Sequence, residues 1–164
     1  MLELLPELTS KPGALMAACA FGYLAGSIPF GILIAKVLGL GDLRKVGSGN
    51  IGATNVLRTG NKLAAFLTLL FDFSKGLCAV LIARHFFGED AVQVSAASAL
   101  MGHCFPIWLK FRGGKGVATF LGATIALSFI IGIICCFVWL FVAVVKKMSS
   151  LASLTSSASA PIAA

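Results

Sequence analysis

Two glycine-rich segments hold most of the residues in this chain that could do chemistry. The first, Val46 to Arg58, reads VGSGNIGATNVLR and sets Ser48, Asn50, Thr54, Asn55 and Arg58 among glycines. The second, Lys110 to Gly116, reads KFRGGKG and sets Lys110, Arg112 and Lys115 around Gly113, Gly114 and Gly116. Glycine lets backbone N–H groups approach an anion closely, and a helix that follows points partial positive charge at it. Lysine adds a point charge, and arginine can grip a phosphate with two parallel hydrogen bonds. The Ser, Thr and Asn side chains add neutral donors and acceptors. This combination suits the binding of phosphate groups, those of a substrate or of lipid headgroups. No obvious Ser-His-Asp or Cys-His set accompanies it, so the chemistry expected is the holding of anions and stabilisation of developing charge rather than a conventional nucleophilic triad.

Three other patterns are weaker than they look. Gly47 to Gly52 fits G-x-G-x-x-G with Asp72 about 20 residues on, but a dinucleotide site needs a strand before the loop and a βαβ unit around it. Here the flanks are long apolar runs. Gly113 to Gly116 lacks the glycine spacing and the following Ser/Thr of a nucleotide-binding P-loop. His85 and Asp90 fit a His-x4-Asp acyltransferase pattern, but they straddle a short acidic turn expected on the opposite membrane face. Cys19, Cys78, Cys104, Cys135 and Cys136 form no C-x-x-C pair and sit mostly in apolar runs, which reads as buried reduced thiols with no metal site.

The elements that must position these loops are apolar. Of 164 residues, 59% are hydrophobic and only 12% charged, against about 25% charged in ordinary soluble domains. That excludes a disordered chain, a nucleic-acid-binding arm and a water-soluble globule. The expected fold is all-α: one polytopic integral membrane helix bundle, 1–164, with about five spans plus the start of a sixth. The spans are placed at 13–40, 62–87, 91–109, 117–128 and 131–145, and 148–164 begins an incomplete helix. Pro29 should kink the first span, and Gly22 and Gly26 are spaced for a close helix contact. Asp72 and Lys75 lie on one face of the second span, as a structural pair or one that also borders a site. The run Val117 to Val145 is uncharged, and two short helices turning near Ser128 are favoured over one tilted span.

That preference rests on charge. The net charge is +7. Arg44, Lys45, Arg58, Lys62, Lys110, Arg112 and Lys115 all fall at one end of the spans, and a turn near Ser128 brings Lys146 and Lys147 back to it. Glu3, Glu7, Glu89 and Asp90 fall at the other end. The positive-inside tendency makes the basic end cytoplasmic. Residues 1–12 have no basic n-region and do not read as a cleaved signal peptide.

Three stretches carry a family resemblance: GSIPFG at Gly26 to Gly31, VGSGNIGATNVLR at Val46 to Arg58, and GHCFPIWLKFRGGKGVAT at Gly102 to Thr119. They closely resemble the bacterial membrane glycerol-3-phosphate acyltransferases that use acyl phosphate as donor, colinearly from about Ala18 to Ala160. The resemblance implies a seven-helix inner-membrane bundle with its motifs on the cytoplasmic side. It implies transfer of a fatty acyl group from acyl phosphate to the 1-hydroxyl of sn-glycerol 3-phosphate, giving lysophosphatidic acid and phosphate for phospholipid synthesis. No cofactor, metal or nucleic acid is implied; the partners are the two substrates and membrane lipid.

Carried over position by position, the first motif places Ser48 and Arg58 in the catalytic site with Asn50 and Asn55 in support. The second places Gly113, Gly114, Lys115 and Gly116 in a phosphate-binding loop, with His103 beside it and Lys115 on a substrate phosphate. The stretch Ser150 to Ser153 resembles a later segment whose serine reaches the same pocket, and Ser153 is preferred to Ser150. Family members carry a third motif, His-Arg-x-Asn-Ile-x-Arg-Leu then Gly-x-Glu-x-Lys, that nothing here matches. The expectation is therefore a C-terminally shortened member. The alternatives are a non-enzymatic membrane anion binder or transporter, and an inactive truncated relative.

Overall fold

The computed structural model describes residues 10–163, so the expectations for Glu3, Glu7 and most of 1–12 fall outside the described residues. Among the described residues every regular element is helical: α1 Pro12–Ser27, α2 Phe30–Val37, α3 Ala53–Leu57, α4 Lys62–Phe86, α5 Glu89–Cys104, α6 Val117–Leu127, α7 Phe129–Lys146 and α8 Ser149–Ala163. The segments Pro12–Val37, Lys62–Phe86, Glu89–Leu109 and Phe129–Lys146 are each long and apolar enough to cross a membrane. With no strand among the described residues, the G-x-G-x-x-G match has no βαβ unit around it.

The first span is broken rather than bent. Ile28 takes an extended conformation with ψ 117°, as the residue before a proline prefers, and α2 restarts after Pro29. The break exposes the Ile28 carbonyl, which accepts from Phe30 N at 3.0 Å and from the Lys75 ammonium at 2.8 Å.

Small residues set the helix crossings. A side chain at Gly22 or Gly26 would run into the backbone of Ser95 or Ala99 on α5, and one at Gly102 would meet the Tyr23 carbonyl on α1. Gly76 and Gly122 do the same between α4 and α6, against Thr119 and Phe73. In lipid, where there is little hydrophobic drive between helices, such close approach supplies the dispersion contacts that hold them. The large apolar side chains point outward instead: Phe129, Ile130 and Phe137 are each about two-thirds exposed or more, the surface a bilayer would cover. The same logic corrects the cysteine expectation. All five are free, but Cys19 and Cys78 are exposed on the apolar surface and only Cys135 is fully buried.

The two ends of the bundle differ in charge. At one end Arg84 pairs with Glu89 at 3.1 Å and donates to the Ala126 carbonyl, while Ser10 bonds to Asp90. His85 and Asp90 lie at this end, away from the glycine loops. At the other end Arg44 Nη2 donates to the Arg112 carbonyl at 2.7 Å, joining the two basic segments. The chain reverses at Ser128, whose backbone is extended between α6 and α7. Ala126 lies beside Arg84 and Lys147 lies beside the glycine loops, so α6 and α7 run out and back. At about 1.5 Å per residue, α6 is only about 16 Å long. α8 then packs on α7, with Ser156 Oγ donating to the Cys135 carbonyl at 2.7 Å.

Candidate active site

At the basic end the loops and helices enclose a cavity of about 790 Å³. Ser48, Asn50, Asn55 and Arg58 line it from the first glycine segment, Lys115 and Gly116 from the second, His103 from α5 and Ser153 from α8. Gly113 and Gly114 do not line it. A second cavity of about 510 Å³ adjoins it across Lys115, Gly116 and Ser153, walled by Leu100, Phe120 and Leu154.

The first segment is folded around Asn55, whose side chain is buried at 2% exposure. Asn55 Nδ2 donates to the carbonyls of Asn50 at 2.7 Å and Leu43 at 3.0 Å, and Oδ1 accepts from Ser48 N at 3.0 Å and Ser48 Oγ at 3.3 Å. Both polar atoms of the Asn55 side chain are thus used by the loop and by Leu43 just before it, so Asn55 shapes the site. Gly47 sits at φ +51°, with the Arg58 side chain lying where a β-carbon would stand. That lays Arg58 against the loop backbone, its Nη1 beside Gly47, while the residue as a whole stays exposed. Asn50 Oδ1 is buried without a hydrogen-bond partner among the described residues, an acceptor with unmet capacity in a residue that lines the cavity.

The second segment is built differently. Lys110 and Phe111 both adopt left-handed backbone, φ 53° and 61°, a strained choice for residues with side chains. The reversal returns the chain onto the end of α5, where Gly113 N donates to the Cys104 carbonyl at 3.0 Å and Gly114 N to the His103 carbonyl at 3.1 Å. These two glycines therefore satisfy the carbonyls that end α5 and do not offer their N–H groups to an anion. A side chain at Gly114 would collide with the His103 ring. Donors remain one step on: Lys115, Gly116, Val117 and Ala118 border the cavity at the N-terminus of α6. The first backbone bond into that helix, Phe120 N to the Gly116 carbonyl at 2.7 Å, leaves the amides before it facing outward.

Neither Arg58 nor Lys115 takes part in an ion pair among the described residues, where the pairs found are Asp72–Lys75, Arg84–Glu89 and the longer Asp72–His103 contact. Among the described residues neither serine is hydrogen-bonded to an activating base. The Ser48 hydroxyl lies against the Asn55 amide oxygen, which cannot remove its proton. The Ser153 hydroxyl donates to the Ser149 carbonyl at 2.6 Å and accepts from Trp139 Nε1 at 3.4 Å.

The Asp72–Lys75 pair is both things the sequence left open: a buried ion pair at 2.8 Å, and a border of the site, since Asp72 lines the cavity. Sequence reasoning missed Trp139 and Lys147, which also line it. Trp139 sits in an uncharged apolar run and reads as lipid-facing; its only signal was nearness to the basic end, where interfacial tryptophans collect.

Comparison with known proteins agrees with this architecture. Residues 16–164 match the family model described as glycerol-3-phosphate acyltransferase. A protein named glycerol-3-phosphate acyltransferase from Cereibacter sphaeroides is 59% identical over 155 residues, 94% of this chain and 77% of that protein. One of the same name from Jannaschia sp. is 55% identical over 161 residues, 98% of this chain and 79% of that protein. The crystal structure of PlsY (YgiH), described as an integral membrane glycerol 3-phosphate acyltransferase in its glycerol 3-phosphate form, superposes with a TM-score of 0.84 at 43% identity. That match covers 90% of this chain and 74% of PlsY. The lysophosphatidic acid form of PlsY matches with a TM-score of 0.80 at 39% identity. This membrane-embedded helical chain therefore belongs to the glycerol-3-phosphate acyltransferase family of enzymes.

Proposed function

We propose that the chain transfers a fatty acyl group from acyl phosphate to the 1-hydroxyl of sn-glycerol 3-phosphate, giving lysophosphatidic acid and inorganic phosphate. The basic end faces the cytoplasm of a bacterial inner membrane. The observation that carries the reading is that cations from both glycine segments, Arg58 and Lys115, neither in an ion pair among the described residues, line one cavity together with Lys147, while most of its wall is apolar. A reaction between two phosphate-bearing substrates, one with a long acyl chain, needs that combination.

Lys115 and the N-terminal amides of α6 hold one phosphate; Arg58 and Ser48 hold the other. Asn50 Oδ1 accepts from a substrate hydroxyl. The acyl chain lies along the apolar wall made by Leu57, Phe66, Leu69 and Leu121 and enters laterally from the bilayer. The 1-hydroxyl oxygen attacks the acyl carbon, the carbon–oxygen bond to phosphate breaks, and phosphate leaves with the electron pair. The hydroxyl proton passes to a substrate phosphate oxygen; among the described residues neither Ser48 nor Ser153 is hydrogen-bonded to a base that would make it a nucleophile instead. Catalysis then comes from holding two anions in contact and stabilising the charge that develops between them.

The test is phosphate release from palmitoyl phosphate, dependent on glycerol 3-phosphate, in bilayers containing the protein. Lys115→Ala and Arg58→Ala should each lower turnover by at least about 10²–10³-fold, the usual cost of removing a group that stabilises the transition state. Normal turnover in either variant sinks the cation assignment. An acyl group trapped on Ser48 would replace the substrate-assisted step with a covalent one. Uptake of glycerol 3-phosphate into vesicles without acyl transfer would make the protein a transporter.

A further inference from the structure

Behind the second loop lies a knot of buried polar groups that the transfer step does not use. Its centre is Lys75, 5% exposed. An ammonium has three protons and no lone pair. Here the protons go to three different places: Asp72 Oδ1 on its own helix at 2.8 Å, the Ile28 carbonyl at the break in the first span at 2.8 Å, and His103 Nδ1 on α5 at 2.9 Å. A charge buried in a membrane span needs a counter-charge, and Asp72 supplies it. That need does not explain the third bond, to the imidazole.

The third bond fixes the ring. Because Lys75 can only donate, His103 Nδ1 accepts, and the proton of the neutral ring sits on Nε2. The other neighbours compete only weakly. Asp72 Oδ1 is 3.8 Å from Nδ1, too far for a hydrogen bond. Thr119 Oγ1, 3.2 Å from Nδ1, already gives its one proton to the Asp72 carbonyl at 2.9 Å, so it could meet Nδ1 only by accepting from it; the shorter bond from the charged Lys75 donor at 2.9 Å outweighs that contact. Both ring contacts among the described residues run through Nδ1. Nε2 faces Gly114, on the side where a β-carbon would stand, and His103 borders the cavity.

We propose that Lys75 is a positioning residue for acyl transfer: it holds His103 as the Nε2–H tautomer, whose ring edge supports the Gly113–Gly116 loop and whose Nε2–H donates to a phosphate bound there. The opposite tautomer would turn a lone pair toward the anion and weaken the site. The inference rests on the second loop being a phosphate site, but its first half is a property of the resting protein and is measured without substrate.

The chain has two histidines, so His85→Gln, a change at the far end of α4, leaves His103 as the sole imidazole signal. Nitrogen and carbon NMR of labelled His85→Gln protein in bilayers should show a neutral ring protonated on Nε2. Adding Lys75→Met should move the proton to Nδ1 or give a mixture of tautomers. Lys75→Met alone should lower kcat/KM for glycerol-3-phosphate-dependent phosphate release on the order of 10²-fold, the scale of a misplaced but intact catalytic group. His103→Gln, which keeps a donor near the place of Nε2, should retain more activity than His103→Asn, which reaches only the place of Nδ1. Protonation on Nδ1 in the resting protein, or an unchanged tautomer in Lys75→Met, overturns the proposal. If Lys75→Met does not fold, the resting tautomer and the Gln/Asn order still decide. Phosphate release absent even from the unaltered protein would defeat the acyl-transfer reading instead, leaving the tautomer to be judged by its own signal.

Discussion

The two glycine segments meet at one cavity but are held by opposite means. The first is self-contained. Asn55, inside the segment, ties together Leu43, Ser48 and Asn50, and most of what shapes the loop lies within its own stretch of sequence. The second has no such internal clamp. Its glycines lean on the carbonyls ending α5, its turn runs through two strained residues at Lys110 and Phe111, and its outer edge is fastened by Arg44, just ahead of the first segment. Loop glycines look alike in a sequence, yet here they act differently. Gly47 clears space for an arginine, while Gly113 and Gly114 dock a loop on a helix end.

The contrast can be broken by substitution. The largest effect is expected at Asn55. Asn55→Ala leaves the Leu43 and Asn50 carbonyls and Ser48 N without their partners, at about 1–3 kcal/mol for each group that stays buried. The first loop should lose its shape, and glycerol-3-phosphate-dependent phosphate release should fall by at least about 10²-fold. An Asn55→Ala protein with near-normal turnover would mean the loop is held by something other than its own clamp.

Next come the glycines. Gly114→Ala should cost on the order of 10²-fold in kcat/KM although Lys115 is untouched, because the new methyl group displaces the His103 ring and the lysine with it. Gly52→Ala in the first loop should be tolerated: its β-carbon would meet nothing nearer than the Asn50 side chain at 3.9 Å. Equal losses from the two changes, in the same release assay, would erase the distinction between the loops.

What the sequence disclosed follows the same division. Hydropathy and charge placement were enough for an all-α membrane bundle, because a bilayer leaves few alternatives for 59% apolar residues. Local features were visible too: Pro29 as an interruption, Asp72 and Lys75 on one helix face. The partners of those features were not. Nothing in the spacing of Lys75 says that its protons reach Ile28 and His103, since these lie 47 and 28 residues away. The N–H groups of Gly113 and Gly114 look free for an anion until the end of α5 is in place. Trp139 is one more apolar residue until α8 lays Ser153 beside it. Local chemistry is written in order along the chain, whereas a loop borrowed from its neighbours is legible only once the helices are packed.

Arg44 gives the smallest and most discriminating test. It is exposed, lines neither cavity, and touches the second loop through one hydrogen bond to the Arg112 carbonyl at 2.7 Å. A single exposed bond to a charged donor is a modest contribution, screened by water and salt. Arg44→Ala should therefore fold normally and weaken substrate binding at most about tenfold, equivalent to about 1.4 kcal/mol. The loss should appear in KM rather than kcat, because Arg44 fastens the loop without meeting the reacting atoms. Arg44→Lys should recover part of it. Combined with Gly52→Ala, the effect should simply add, since that glycine contacts nothing in the second loop; combined with Gly114→Ala it should not, since both act on one element. Additivity in both pairs would mean that Arg44 is only a surface cation, and that the second loop stands without the first.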